Sequence, residues 1–278
     1  MARVRTPNRS KSVEFWTWSM SFVTAKILIG LVVGTLVGMT GVGGGILLLP
    51  ILIFGLGVPP IVAVGSDAVS NCITKIGASY LHWRQRTVNW QMVVALARGS
   101  VPGVLAGLVV LAHIRNTYGN AVNDFERIAI GLLLLIVPIL LALKNQLSSG
   151  ANPENIQSSC PSSLFGISVI GFLAGATVGI TSIGSGSLIL VLLLLFYGYS
   201  PAVLVGTDIV HALLLTAIAS LFHAKLGTVS VPLVLYLSIG SVPGALLGTY
   251  LSARLPIYWL RRVLCLLLFI SGARMLWV

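Results

Sequence analysis

The sequence predicts an all-α, polytopic integral membrane protein with two homologous halves. Of its 278 residues, 56% are hydrophobic and only 8% are charged, whereas about a quarter of the residues of a soluble domain are charged. Apolar stretches follow one another along the chain. Because about 20 apolar residues cross a bilayer as a helix, there is room for about eight to ten transmembrane or half-membrane helices. The composition excludes a soluble enzyme and a disordered chain.

The positive charge of the chain belongs to its loops and its N-terminal region. The net charge is +11, but the basic residues stand singly between apolar segments, which argues against nucleic acid as a partner. Residues 1–21 combine basic and aromatic side chains, a pattern typical of a cytoplasmic tail with an interfacial belt. We therefore expect a multi-pass protein of the plasma (inner) membrane with a cytoplasmic N-terminus. The sequence contains no P-loop and no metal-ligand spacing, so neither a cofactor nor a metal is predicted.

Each half is predicted to contain five apolar segments. The first half covers residues 22–144, a polar linker covers 145–162, and the second half covers 163–278. Closely spaced glycines end the first segment, and Pro60 and Pro201 precede equivalent segments of the two halves. The segments lie at 22–40, 45–57, 61–83, 90–112 and 127–143, and then at 163–181, 186–199, 202–224, 230–252 and 258–278.

The two halves are related by an internal duplication. A shift of 141 residues aligns 34–107 with 175–248 without a gap, and 30 of the 74 positions are identical. The identities include Asp67 with Asp208, which apolar composition alone does not place in register. Duplicated halves of a membrane protein commonly form a site at their interface near the midplane. An odd number of crossings in each half makes the halves inverted repeats and an even number makes them parallel; the five segments of each half favour inverted repeats.

A glycine-rich run in each half carries a family resemblance. The first half reads GTLVGMTGVGGG from Gly34 to Gly45 and then AVGSD at 63–67, and the second half repeats this pattern at 175–186 and 206–208. The combination resembles the signature of the TauE/SafE sulfite exporter family over nearly the whole chain. The resemblance implies a transporter of sulfite, sulfonates and related small anions across the plasma membrane. The second run departs from the first by serine at three positions, Ser182, Ser185 and Ser187.

Closely spaced glycines do not hold a continuous helix well. Each run is therefore predicted to break its apolar segment into a helix, an unwound turn and a second, short helix. The unpaired N–H groups and the positive dipole end of the second helix would face an anion held at the break. The alternative is that the small residues only permit close helix packing. The residues predicted to bind substrate are Thr40, Gly41, Gly43, Gly44, Gly45, Thr181, Ser182, Gly184, Ser185, Gly186 and Lys75.

Two aspartates inside apolar segments are candidates for coupling or for structural support. Asp67 and Asp208 lie about two turns into their helices, where a carboxylate is costly and by default functional. They are predicted either to couple transport to protons or to support the glycine breaks by hydrogen bonding. Lys75 is predicted to pair with Asp67 or to attract the anion, and its counterpart in the second half is Thr216.

Three histidines are further candidates for coupling or support. His82 and His223 lie fifteen residues after the aspartates, about 22 Å along a helix, so they cannot touch the aspartate of their own helix. They are predicted to act in gating or in interfacial hydrogen bonding. His211 shares a helix face with Asp208 and is a candidate for a proton relay or a weak metal site, although two ligands do not make a metal site.

The sequence favours a secondary carrier that works by alternating access, with protons as a candidate coupling ion, over three other functions. A passive anion channel is the first alternative. The second is an intramembrane hydrolase, in which Ser79 with His82 or Ser220 with His223 would form a nucleophile and base. The third is a membrane scaffold that transports nothing. The expected surroundings are the lipid bilayer, the expected ligand is a small anion, and a homodimer is an open alternative for the oligomeric state.

Overall fold

The computed structural model describes residues 20–40, 43–148, 164–184, 186, 189–190, 192–193, 201–252 and 257–277. Every regular element in these residues is helical, as the sequence predicts. The helices of the first half are α1 (Met20–Thr40), α2 (Gly44–Pro50), α3 (Pro60–Arg84), α4 (Trp90–Tyr118) and α5 (Ala121–Ser148). Those of the second half are α6 (Leu164–Thr181), α7 (Pro201–Leu226), α8 (Val231–Ser252) and α9 (Ile257–Trp277).

The helices coincide closely with the predicted apolar segments. Helix α3 begins with Pro60, whose missing N–H costs nothing at the first position of a helix. Helix α4 begins after Asn89, whose side chain accepts the N–H of Met92 at 3.2 Å. A π-helical turn, Ile51–Gly55, follows α2 and lies within the predicted segment 45–57. Three boundaries differ from the prediction: α4 continues past 112 to Tyr118, and α5 begins at Ala121 rather than at 127 and continues to Ser148, into the predicted linker. Most of the predicted tail, linker and segment 186–199 lies outside the described residues.

Within the described ranges, three helices are long and apolar enough to cross a membrane. These are Trp90–Tyr118, Val203–Leu226 and Val231–Gly248, and shorter apolar helices accompany them. Large apolar side chains point outward from several helices, among them Val109, Leu221 and Leu246, each about three-fifths or more exposed. A hydrocarbon surface is the environment that suits such side chains.

Glycines bring helices of opposite halves into backbone contact. In the α1–α8 pair, a Cβ at Gly30 would touch the carbonyl of Leu237, and a Cβ at Gly34 would touch that of Ser241. In the α4–α6 pair, glycines 171 and 175 approach Leu96 and Ser100 in the same way, at positions exactly one repeat apart. Both pairs run parallel, since residue numbers rise together along the contact. Each half therefore packs into the other.

The α3–α7 pair joins equivalent helices of the two halves, and this pair is antiparallel. Gly65 near the start of α3 approaches the imidazole of His223 near the end of α7. Gly206 near the start of α7 approaches the imidazole of His82 near the end of α3. Between these points, the hydroxyl of Ser79 donates to the carbonyl of Ile209 at 3.5 Å. These two antiparallel helices carry the aspartates and histidines singled out by the sequence.

Gly99→Ala is expected to destabilise the protein, because the added Cβ would collide with the Ser168 carbonyl oxygen of α6. Overpacking of this kind costs about 1–3 kcal/mol. Gly77→Ala is the matched control: nothing lies within 4 Å of its added Cβ, so its higher helix propensity is expected to keep or raise stability. Thermal unfolding in detergent, followed by tryptophan fluorescence, measures both. Equal melting temperatures would contradict the glycine-mediated packing of α4 on α6.

Candidate functional site

The two predicted glycine breaks lie against each other. Helix α1 ends at Thr40 and α2 begins at Gly44, with Gly43 in extended conformation before it. A Cβ added at Gly186 in the second break would lie 3.3 Å from the Cα of Gly43. The predicted interruption of the first apolar run is therefore confirmed, and the two breaks meet. Gly41 and Ser185 lie outside the described residues, and of Thr40 only the backbone is described.

Asp67 connects the two breaks. Its side chain is fully buried, and its Oδ2 accepts the hydroxyl of Ser182, from the break of the other half, at 2.8 Å. The same Oδ2 would lie 2.6 Å from a Cβ added at Gly45, so only glycine leaves room for the carboxylate there. The Ser182 backbone is in the left-handed region, with φ +58°, and Gly184 follows with φ +109°. The turn after α6 thus directs the serine hydroxyl at Asp67.

Asp208 occupies the equivalent place in the second half with different neighbours. Its side chain is buried, and its Oδ2 lies 3.7 Å from a Cβ added at Gly186. The position equivalent to Ser182 in the first half is Gly41, which has no hydroxyl to donate. The two aspartates therefore occupy equivalent places but have unequal hydrogen-bond partners.

Lys75 interacts electrostatically with both aspartates, most strongly with Asp208 of the other half. The sequence predicted a pairing with Asp67 of its own helix and missed the contribution of Asp208. Asn71 was also missed. It lies four residues after Asp67 and four before Lys75, on the same face of α3. Its side chain is 91% buried, and its Oδ1 would lie 2.6 Å from a Cβ added at Gly44.

Two of the hydroxyls predicted to line the second break, those of Thr181 and Ser182, are engaged within the protein. Thr181 donates to the carbonyl of Thr177 at 2.8 Å and accepts the N–H of Ile183 at 3.2 Å. These bonds close the end of α6. The predicted hydroxyl donors to a substrate, Thr181 and Ser182, thus hold the second break and Asp67 in this structure.

His211 is buried and pairs with a helix of the other half. Its Nε2 lies 2.7 Å from the hydroxyl of Ser100 in α4, and its Nδ1 is buried without a hydrogen-bond partner among the described residues. The same part of the chain holds no group of three or more potential metal ligands. His211 therefore links α7 to α4 by a polar contact within the apolar interior.

His82 and His223 hold equivalent loops at the two ends of the α3–α7 pair. His82 Nδ1 lies 2.9 Å from the hydroxyl of Thr87, and His223 Nδ1 lies 2.9 Å from that of Thr228. Each threonine also donates to the carbonyl of its histidine at 3.1 Å. His82 and His223, predicted to act in gating or in interfacial hydrogen bonding, thus each contact a threonine of the loop that follows their own helix.

These loops form two junctions between the halves. In the first junction, the Asn89 N–H donates to the hydroxyl of Thr207 at 3.0 Å, beside Gly206 and the His82–Thr87 pair. In the second junction, the Ser230 N–H donates to the hydroxyl of Ser66 at 3.0 Å, beside Gly65 and the His223–Thr228 pair. Thr207 and Ser66 directly precede Asp208 and Asp67. Each junction therefore binds the loop of one half beside the aspartate of the other.

Known proteins share this sequence over nearly its full length. Residues 26–275 match the family described as Sulfite exporter TauE/SafE. The chain belongs to the TauE/SafE sulfite exporter family. The probable membrane transporter protein YjnA of Bacillus subtilis (strain 168) is 37% identical to it over 251 residues, which cover 90% of this chain and 98% of that protein.

More distant relatives carry the same description. The probable membrane transporter protein YunE of Bacillus subtilis (strain 168) is 26% identical over 278 residues, covering 93% of this chain and 98% of the relative. The probable membrane transporter protein MJ0441 of Methanocaldococcus jannaschii is 25% identical over 264 residues, covering 90% and 94%. No solved structure matches the chain. The family and these names make the TauE/SafE protein a membrane transporter.

The serine–histidine pairs weighed as hydrolase dyads have other hydrogen-bond partners in the TauE/SafE protein. The hydroxyl of Ser79 donates to the carbonyl of Ile209, and that of Ser220 donates to the carbonyl of Thr216. The Nδ1 atoms of His82 and His223 are engaged by threonines, as described above. A base that activates a serine must lie within hydrogen-bond reach of its hydroxyl, and these bonds do not provide that arrangement.

Glu126 is a third buried carboxylate, which the sequence patterns do not predict. Glu126 near the start of α5 is fully buried and interacts electrostatically with Arg115 at the end of α4. Arg115 also donates to the carbonyl of Leu226, the last residue of α7, at 2.6 Å. The predicted apolar segment began at 127, one residue too late to include Glu126. The cluster lies beside the second junction, and Arg115 also interacts electrostatically with His223.

Proposed function

We propose that this membrane transporter is a secondary carrier that moves a small anion, such as sulfite, a sulfonate or a related organic anion, by alternating access. The observation that carries the proposal is the meeting of the two glycine breaks, joined by the hydrogen bond from Ser182 to Asp67. A site formed by broken helices of two repeats is the arrangement by which carriers bind charged substrates. The family name supplies the substrate class.

Inverted topology of the halves is part of this proposal. Contacts one repeat apart recur throughout the described residues, and the equivalent helices α3 and α7 are antiparallel. A two-fold axis that relates antiparallel helices is perpendicular to them, so it lies in the plane of the membrane if these helices cross it. The two junctions then lie toward opposite faces of the membrane. Rocking of one half against the other would open them alternately.

Proton coupling follows from the charge of the buried centre. Lys75 provides one positive charge that interacts with two carboxylates, Asp67 and Asp208, and a net charge inside a membrane protein is expensive. An anion that enters this centre is cheapest to bury when one carboxylate takes up a proton at the same time. We therefore assign Asp208 and Asp67 to proton coupling and to support of the breaks, with the anion near Lys75 and Gly43–Gly45.

The proposed location and orientation rest on the basic and aromatic residues of the N-terminal tail. We propose a multi-pass protein of the plasma membrane with the N-terminal tail in the cytoplasm, and a homodimer remains a hypothesis. A carrier of this kind performs no covalent chemistry, so we propose that the protein is not an enzyme. A channel and a non-transporting scaffold differ from a carrier in flux, which a reconstitution experiment measures directly.

Uptake of radiolabelled sulfite and ethanesulfonate into proteoliposomes tests the proposed function. We expect saturable uptake by the wild type, accelerated when the outside is more acidic than the lumen, because protons then move inward with the anion. The double variant Asp67→Asn plus Asp208→Asn is expected to lose this acceleration. Flux that rises linearly with concentration would indicate a channel. No flux of either anion would overturn the substrate class.

A further inference from the structure

The face of α3 that lies against the first glycine break is more polar than its counterpart on α7. Asp67, Asn71 and Lys75 are spaced by four residues, which places them along one face of the helix. The equivalent positions of the second half hold Asp208, Ala212 and Thr216. The duplication has thus kept the carboxylate in both halves and the amide and ammonium in only one.

Asn71 has two side-chain N–H donors, and the interaction of its amide with the Asp67 carboxyl accounts for at most one of them. Its side-chain oxygen faces Gly44, while its Nδ2 is buried without a hydrogen-bond partner among the described residues. A buried donor without a partner costs about 1–3 kcal/mol, so such groups are retained where a ligand or a water satisfies them. An anion beside Gly44 would supply the missing acceptor.

The second half offers no such donor at the equivalent place. Ala212 has only a methyl group, and the hydroxyl of Thr216 donates to the carbonyl of Ala212 within its own helix at 2.8 Å. Both residues are fully buried. An anion beside Asp208 would therefore find no amide there, and the ammonium that it could reach is the same Lys75 that interacts with Asp67, so one ammonium serves both places.

We propose that the protein binds one sulfite or sulfonate anion at a time, between the Asn71 side-chain amide and the Lys75 ammonium beside Gly44, and that the equivalent place in the second half binds none. This inference rests on the proposed function and makes it asymmetric. The first break holds the substrate, and the second break supports the first through the bond from Ser182 to Asp67.

Binding of sulfite and ethanesulfonate to the purified protein, measured by titration calorimetry, tests the site. We expect one anion per chain for the wild type. Asn71→Ala and Lys75→Thr introduce the residues found at the equivalent buried positions of α7, and each is expected to weaken binding about ten- to a hundredfold. Thr216→Val, the matched control in the second half, is expected to bind as the wild type does.

Lys75→Arg guards against misfolding of the Lys75→Thr protein, because it keeps the positive charge that interacts with the aspartates. It is expected to bind more tightly than Lys75→Thr and to melt close to the wild type. If the wild type binds either anion and Asn71→Ala binds it equally well, this site is wrong, while the proposed carrier function still stands. Two anions per chain, or equal loss in Thr216→Val, would overturn the asymmetry. No binding by the wild type would overturn the proposed function together with the site.

Discussion

A disulfide between cysteines at positions 66 and 230 is expected to stop transport, and its reduction is expected to restore it. The backbone N–H of Ser230 lies 3.0 Å from the Ser66 hydroxyl, so the two residues are in direct contact across the second junction. If the halves rock, this junction must open once in each cycle. A covalent bond there would hold it closed, and uptake would fall to that of empty liposomes.

The first junction supplies a matched variant for this experiment. Asn89 and Thr207 occupy the positions equivalent to Ser230 and Ser66, and the same N–H to hydroxyl bond joins them at 3.0 Å. Cysteines at 89 and 207 are expected to stop transport in the same way, because each cycle requires both junctions. The background variant carries Cys72→Ala, Cys160→Ala and Cys265→Ala, so that only the introduced pair can oxidise.

Single-cysteine variants and mass spectrometry complete the control. Each single variant is expected to transport whether oxidised or reduced, which separates the effect of the bond from that of the substitution. Complete cross-linking of either pair with unchanged flux would show that the junction does not open during transport, and alternating access through these contacts would then be wrong.

The sequence predicts where the helices of this protein lie, but not which helices pack against each other. Apolar segments and a glycine run predicted both ends of α1 and α3 and the start of α4 closely, because hydrophobicity and helix breakers act locally, whereas α4 continues past the predicted end at 112 to Tyr118. The pairing of α1 with α8 depends on contacts more than 200 residues apart, such as that of Gly30 with Leu237. Periodicity within one helix shows which face carries small side chains, but not which helix packs against that face.

The duplication identifies residues that are identical in both halves, such as Asp67 and Asp208, but gives no signal for residues that differ between the halves. The sequence predicts Ser182 as a hydroxyl donor to the substrate, but in the structure its hydroxyl donates to Asp67. The left-handed backbone conformation of Ser182 directs the hydroxyl there, and residue spacing does not predict that conformation. Asn71 carried a usable signal, since it lies four residues from both Asp67 and Lys75. Glu126 was missed because it stands among Asn123, Asp124 and Arg127 in sequence, while its burial comes from tertiary packing.

The second large effect is expected from Ser182→Gly. This change removes the hydroxyl that holds Asp67 and introduces the residue found at the equivalent Gly41. The Ser182 backbone has φ +58°, a conformation that glycine adopts without strain, so the turn is expected to be kept while the melting temperature falls by the loss of this one hydrogen bond. A hydrogen bond to a charged group contributes about 1.5–3 kcal/mol. If that bond positions the carboxylate for transport, the rate is expected to fall about ten- to a hundredfold.

Ser182→Asn provides the rescue, because asparagine tolerates the left-handed conformation and its amide can donate to Asp67 in place of the hydroxyl. It is expected to transport faster than Ser182→Gly. If the serine acts through the carboxylate, adding Ser182→Gly to Asp67→Asn is expected to cost little beyond Asp67→Asn alone, since residues in one hydrogen-bonded pair are not additive. Additive losses would mean that Ser182 meets the substrate itself, and the second break would then be part of the anion site rather than its support.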